Sequence, residues 1–116
     1  MLRCDVITLF PEMVAPVLDS SMLKRAQEKG LLEVKVHNLR DYTLDKHKVA
    51  DDVPYGGGAG MVMKAEPILR ALEEIRRSYE QRGERLRLML PSPQGRPFTQ
   101  AYAHELAAES RRLVIL

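Results

Sequence analysis

Residues Leu86–Leu116, LRLMLPSPQGRPFTQAYAHELAAESRRLVIL, contain the pattern that decides the fold. An apolar run is followed by a loop rich in Pro and Gly, then by a helix-like stretch, and then by a second apolar run. Two strands joined through a helix can lie parallel in one sheet. We therefore predict a strand over Leu86–Leu90, a helix that Thr99 caps and that ends near Glu109, and a buried strand over Arg112–Leu116.

The residues at the start of the chain show the same alternation of strand and helix. Leu2–Leu9 is apolar and β-branched, which predicts a buried strand. Pro11 suits the first turn of a helix, and Pro16 should kink or end that helix within a turn. A second helix is predicted over Ser20–Lys29, because serines can cap its start and Gly30 can end it.

The middle of the chain changes its period twice. Residues 32–37 alternate apolar and polar side chains, as a half-buried strand does. Asn38–Met63 has no sustained period, so we expect a functional loop without regular structure. From Pro67 onward a helix is predicted. Its apolar face consists of Ile68, Leu72, Ile75 and Tyr79. The sequence therefore predicts one α/β domain with a mostly parallel sheet flanked by helices.

Composition narrows the class of protein without giving a function. The chain has 116 residues, 45% of them hydrophobic and 29% charged, and its net charge of +2 is too small to indicate a nucleic-acid partner by itself. Its apolar runs are too short to span a membrane, and no secretion signal is evident. Cys4 is the only cysteine, which excludes an internal disulfide and a cysteine zinc cluster. We expect Cys4 to be a small core residue and the protein to be cytoplasmic.

A glycine cluster marks the first candidate site. Asp51–Met61 contains four glycines within five positions, and exposed N–H groups in such a backbone can hold an anion or the edge of a base. No Lys-Ser or Lys-Thr follows the glycines and no strand leads directly into them, so a Walker loop and a dinucleotide fingerprint are both excluded. A flexible solvent loop with turn-forming aspartates would show the same pattern.

The second candidate site is Leu90–Arg96, LPSPQGR. Two prolines and a glycine predict a rigid turn at the carboxyl end of a strand, where parallel sheets bind ligands. Fixed backbone groups there could read an adenine edge with little ordering cost. A stiff connection between strand and helix would also explain the residues.

The third candidate is the basic and aromatic segment Arg40–Tyr42 with residues 46–48. It could contact phosphate and stack on a base, or it could be a solvated face. His37, His47 and His104 have no spacing that indicates a metal site or a catalytic triad.

Taken together, the motifs resemble one known family. Four segments occur in a fixed order and spacing: Leu9–Met13, Asn38–Thr43, Asp52–Met63 and Ser92–Arg96. This set closely resembles the TrmD family, the bacterial tRNA guanine-N1 methyltransferases, over essentially the whole chain. Pro54–Met61 followed by Glu66 and Pro67 is its most specific part.

The resemblance implies a fold and an activity. The family belongs to the SPOUT methyltransferases, whose α/β domain ends in a trefoil knot that binds S-adenosylmethionine. The family works as a homodimer on tRNA, and each active site is assembled from both subunits. The methyl group goes to N1 of the guanosine 3′ of the anticodon.

The resemblance also implies site residues in this chain. The cofactor wall would consist of Leu90, Pro91, Ser92, Pro93, Gln94 and Gly95. The family commonly has an aromatic residue where Leu90 stands and Leu where Pro91 stands, which places the role on the backbone. Contacts with the target guanine or the tRNA would come from Asp51, Pro54, Tyr55, Gly56, Gly57, Gly58, Gly60 and, more weakly, Arg40. No metal site is expected.

The resemblance further implies that this chain is the N-terminal part of a longer domain. The family's general base is an aspartate beyond the knot, assisted by an arginine, so no catalytic residue is assigned here. The remainder of the knot and a C-terminal tRNA-binding domain are expected to lie beyond Leu116. Two alternatives stay open: a related SPOUT RNA methyltransferase with another target base, or a stand-alone RNA-binding or dimerisation module.

Overall fold

The computed structural model of the chain describes residues 1–43, 51–52, 62–63, 65–81, 86–109 and 112–115. A 3-10 helix over Leu39–Tyr42 stands among six strands and four α-helices in these residues. The strands are β1 (Leu2–Thr8), β2 (Leu32–Asn38), β3 (Asp51–Asp52), β4 (Val62–Met63), β5 (Arg87–Met89) and β6 (Arg112–Ile115). The helices are α1 (Pro11–Leu18), α2 (Ser21–Glu28), α3 (Ala65–Glu80) and α4 (Gln100–Glu109).

The main sheet has four strands in the order β2-β1-β6-β5, and every pairing in it is parallel. Cys4 lies opposite Val34 of β2 on one side and Leu113 of β6 on the other, so β1 is a central strand. Parallel strands end at the same edge of a sheet. This carboxyl edge carries Thr8, Asn38, Met89 and Ile115, which are the last residues of the four strands. The predicted α/β class with a parallel sheet is confirmed.

The segment predicted to lack regular structure contains some after all. The side chain of Asn38 accepts a 3.0 Å hydrogen bond from the backbone N–H of Arg40 and so begins the 3-10 helix. β3 and β4 form a short antiparallel pair in which Asp51 lies opposite Met63. The expectation for Asn38–Met63 was therefore wrong in part, because strands of two residues are too short to show a period.

The predictions for where α1 and α2 begin and end are partly confirmed. α1 ends two residues after Pro16, as expected. Ser20 precedes α2 but does not cap it, because its hydroxyl donates at 2.6 Å to the carbonyl of Pro16, which has lost its helical partner. Gly30 ends the helix with φ of 72°, the left-handed conformation that favours glycine. The predicted serine cap is wrong, and the predicted glycine stop is confirmed.

One face of α3 packs against the sheet and the 3-10 helix. The buried core is formed by Ile7, Leu39, Ala71, Ile75 and Tyr79. Ile68 and Leu72, which the periodicity placed on the same face, are partly buried against this core. The helix begins at Ala65 rather than Pro67, since proline is tolerated in the first turn.

A buried carboxylate joins these elements. Asp5 in the middle of β1 is only 1% exposed. His37 Nε2 on β2 lies 2.7 Å from Asp5 Oδ1, and the Tyr79 hydroxyl on α3 donates to Asp5 Oδ2. On the other side of the imidazole, the Tyr42 hydroxyl lies 3.2 Å from Nδ1. Both carboxylate oxygens are thus hydrogen-bonded, which is what makes a buried carboxylate tolerable.

We expect Asp5→Leu to destabilise the fold by about 3 kcal/mol, because the buried groups of Tyr79 and His37 lose their acceptor. Urea denaturation of the two proteins measures the difference. Glu33→Gln is the matched control, since it removes a carboxylate that pairs with Arg3 at 3.6 Å on the same sheet but at the surface. The control should cost less than about 1 kcal/mol. Equal loss from both variants would contradict the role of Asp5.

Cys4 offers a second test of this part of the sheet. Burial, and secondarily the charge of Asp5, raises the pKa of the Cys4 thiol to about 11. The thiolate is the reactive form, so at pH 8 we expect Cys4 to react with a disulfide reagent about a hundredfold more slowly in the native protein than in urea. Cys4 is half-buried rather than the core residue that the sequence predicted, and equal rates in both conditions would contradict the raised pKa of its thiol.

Candidate functional site

A cleft lies at the carboxyl edge, where β5 and β6 end and α4 begins. Its volume is about 630 Å³, within the range of pockets that bind small molecules. We name it the carboxyl-edge cleft. It is lined by Arg87, Leu88, Met89, Leu90, Pro91, Ser92, Pro93, Gly95, Arg96, Pro97, Phe98, Tyr102 and Ile115. Five of the six residues predicted to form a cofactor wall line this cleft, and Gln94 does not.

The turn Ser92–Gly95 forms one wall of the cleft. The N–H of Gly95 donates to the Ser92 carbonyl at 3.0 Å, and the N–H of Gln94 donates to the Ser92 hydroxyl at 3.2 Å. Pro93 occupies the second position, where its fixed φ suits a β-turn. A Cβ added to Gly95 would lie 3.2 Å from the Ser92 carbonyl oxygen, so the close approach of the backbone favours glycine. The turn is therefore closed by its own residues.

Aromatic and cationic side chains also line the cleft. Phe98 is 69% exposed and meets the Tyr102 ring edge to face at 5.9 Å between centroids. The guanidinium of Arg96 stacks on Tyr102, 3.9 Å from the ring centroid. Sequence reasoning missed Phe98 and Tyr102 as lining residues. Phe98 precedes the Thr99 cap and lies outside α4, so helical spacing gave no signal for this pair.

A second groove lies between the 3-10 helix and α3, with a volume of about 1110 Å³. It is lined by Asp41, Tyr42, Thr43, Ala65, Glu66, Leu69, Arg70, Glu73, Glu74 and Arg77. Its four carboxylates outnumber its two arginines, and Arg70 and Arg77 pair with Glu66 and Glu73. Such a lining does not favour phosphate.

Neither Tyr42 nor Arg40 gives this groove the character of a nucleic-acid surface. Burial, followed by the charge of Glu74, raises the pKa of Tyr42, so its hydroxyl stays protonated at neutral pH. Arg40 is half-buried and does not line the groove. The contact of Arg40 with tRNA stays a prediction.

The sequence analysis also missed the hydrogen bonds of His37. His37 has no motif spacing, yet it bridges Asp5 and Tyr42. The available signal was Asp5 itself, a carboxylate in the middle of an apolar strand, which needs buried partners. The Asp5 network is built into the core, and we assign it no catalytic role.

The glycine-rich candidates Pro54, Tyr55, Gly56, Gly57, Gly58 and Gly60 lie outside the described residues, as do residues 46–48. For Asp51 the structure gives only the backbone, paired with Met63. The statement that the glycine cluster and the carboxyl-edge cleft share one pocket therefore stays a prediction. In the described part of the chain, no group of three or more His, Cys, Asp or Glu could hold a metal ion. Among the described helices, none combines the length and apolar character that crossing a bilayer requires.

The parallel sheet and its cleft define a class: an α/β domain with a cleft at the carboxyl ends of its strands, where sheets of this kind bind their ligands. Comparison with known families then specifies this class. Residues 2–116 match the model of the tRNA (Guanine-1)-methyltransferase TrmD family. The chain belongs to this family, as the motif resemblance predicted.

Individual relatives agree with this assignment. The chain is 49% identical over 115 residues to the tRNA (guanine-N(1)-)-methyltransferases of Dictyoglomus turgidum and Staphylococcus epidermidis. Each match covers 99% of this chain and 44% of the relative, so the chain spans less than half the length of these relatives. The crystal structure of tRNA (m1G37) methyltransferase from Aquifex aeolicus matches 98% of this chain and 49% of its own, with 32% identity and a TM-score of 0.83. This likeness confirms the SPOUT-type α/β fold.

Proposed function

We propose that the protein containing this chain transfers a methyl group from S-adenosylmethionine to N1 of the guanosine 3′ of the tRNA anticodon. The observation that carries the proposal is the carboxyl-edge cleft with its Ser92–Gly95 turn, in a chain that matches the family over residues 2–116. The names of the relatives, tRNA (guanine-N(1)-)-methyltransferase and tRNA (m1G37) methyltransferase, support both the tRNA substrate and the position of the methyl group.

The cleft fits the proposed cofactor in size and in chemistry. Its lining is mainly apolar, with Leu90, Pro91 and Phe98 available to cover an adenosine, and the turn backbone offers polar groups for the edge of the base. When bound, S-adenosylmethionine supplies a methyl group that is activated by a sulfonium. The residues that line the cleft would bind and orient the methyl donor and would exclude water from the part of it that they cover.

The target atom sets the remaining requirements. N1 of neutral guanine carries a proton, which a general base must remove, and donors must stabilise the charge that spreads to O6. The guanine must also leave the stack of the anticodon loop before it can react. We assign the general base to the part of the protein beyond Leu116, in keeping with the family resemblance. Alignment of nucleophile and methyl group then supplies much of the remaining rate.

We further propose a cytoplasmic homodimer in which each active site contains residues of both subunits and the later residues complete the knot. Exposed apolar side chains support a contact with a second copy. Met13 and Val17 on α1 and Met22 on α2 are each more than 60% exposed. Large apolar groups clustered at a surface commonly mark an interface.

The activity is tested with the full reading frame that contains this chain, S-adenosylmethionine labelled in its methyl group, and two tRNA transcripts. One transcript has guanosine 3′ of the anticodon, and the other has adenosine there. We expect label only in the guanosine transcript and 1-methylguanosine in its digest. Label on another base would favour a related RNA methyltransferase. Salt-sensitive RNA binding without any methyl transfer would favour a binding module.

We also expect the 116-residue chain alone to leave tRNA unmethylated and to bind S-adenosylmethionine poorly. The reason is that it supplies only one stretch of the proposed pocket and no general base. Calorimetric titration with S-adenosylmethionine measures this, with the full reading frame as the positive control. A micromolar dissociation constant for the 116-residue chain would contradict the expectation.

A further inference from the structure

Arg96 connects the turn of the cleft to α4 through two contacts. Its guanidinium stacks on the Tyr102 ring at 3.9 Å, and its Nη2 lies 3.0 Å from Glu105 Oε2. Tyr102 and Glu105 are three residues apart on α4 and therefore share a face of the helix. One side chain thus meets an aromatic ring and a carboxylate together.

The position of Arg96 gives these contacts a consequence for the cleft. Arg96 directly follows Gly95. Fixing the Arg96 side chain against α4 therefore restricts the orientation of the Ser92–Gly95 turn relative to this helix. The helix end itself is anchored, because the Thr99 hydroxyl accepts a 3.1 Å hydrogen bond from the N–H of Tyr102. The turn and α4 are therefore held together on both sides of Pro97 and Phe98.

The chemistry of the contacts depends on arginine. A planar guanidinium can stack on a ring and pair with a carboxylate at the same time, whereas an ammonium cannot do both in this way. An exposed ion pair alone contributes little. Here the stacking on Tyr102 already orders the Arg96 side chain. The ion pair with Glu105 therefore costs little further conformational entropy, and the two contacts support each other.

We propose that Arg96 is a positioning residue that presets the Ser92–Gly95 turn for the methyl donor. The proposal rests on the proposed function. Presetting the turn lowers the ordering cost of binding, so it acts on the affinity for S-adenosylmethionine and leaves the chemical step unchanged.

Arg96 also lines the cleft, so it could contact the ligand directly. The experiment must distinguish this direct contact from the positioning role. Glu105 provides the separation, since it contacts Arg96 but does not line the cleft. A change at Glu105 can reach the ligand through Arg96, and a direct contact of Arg96 with the ligand would not need Glu105.

The experiment measures the dissociation constant for S-adenosylmethionine and kcat at saturating cofactor in the full reading frame. Arg96→Met should weaken binding about fivefold, the factor that an exposed cation–π contact and an exposed ion pair support together. Glu105→Gln should weaken it about twofold, and it should add nothing in the Arg96→Met background. kcat should stay unchanged in every variant.

The matched control is Arg76→Met on α3, which removes an ion pair of the same kind, 3.0 Å from Glu73, far along the chain from the turn. Binding by this variant should equal that of the wild type. Weaker binding in Arg96→Met together with no effect of Glu105→Gln would overturn positioning in favour of direct contact. Equal losses in affinity and in kcat would overturn it as well, since they indicate general damage.

Failure of the proposed function is recognised separately, because the wild type would then bind no S-adenosylmethionine. In that case the 116-residue chain decides the inference through the ¹⁵N order parameters of Gln94 and Gly95. They should fall in Arg96→Met and stay unchanged in Arg76→Met. Unchanged order parameters in both variants would overturn the positioning role.

Discussion

The buried carboxylate of Asp5 needs hydrogen-bond donors, and the fold supplies them from other strands and helices. It lies in the central strand β1 and is almost fully buried, so its charge must be met by donors rather than by water. His37 and Tyr79 meet it from β2 and α3. Because one carboxylate accepts from both, the lateral position of β2 and the rotation of α3 are coupled to β1. Leu39 and the 3-10 helix then pack on the same core.

The cleft lies on the other side of β1 and is formed by elements that are neighbours in the sequence. β5, the Ser92–Gly95 turn, α4 and β6 are consecutive in the sequence, and the turn is closed by its own hydrogen bonds. β6 joins this unit to β1 through the pairing of Cys4 with Leu113. The Asp5 network thus holds the strand on which the cleft unit rests, and the unit itself shapes the pocket.

The sequence predicted the features that depend on neighbours along the chain. The strand–helix alternation, the Thr99 cap and the Gly30 stop each depend on a few adjacent residues, and all are present. The Ser20 cap failed because the Pro16 carbonyl competed for the hydroxyl, and that competition depends on where α1 ends. β3 and β4 were too short for their period to be visible.

The features that the sequence did not predict join distant residues. Asp5 meets His37 across 32 positions and Tyr79 across 74, and no local pattern marks such pairs. The stacking of Arg96 on Tyr102 depends on the path of Pro97 and Phe98, which composition does not specify. For the site, motif resemblance predicted the family correctly and located the turn, whereas the lining residues Phe98 and Tyr102 were found only from the structure.

The most direct test of the central role of Asp5 is a long-range ¹H–¹⁵N NMR spectrum of His37 in the native chain at neutral pH. An ionised carboxylate can only accept hydrogen bonds. Our account therefore predicts a proton on Nε2, directed at Asp5 Oδ1. A neutral ring with its proton on Nδ1 and a bare Nε2 would contradict the account, because Asp5 would then lack the donor that joins β1 to β2.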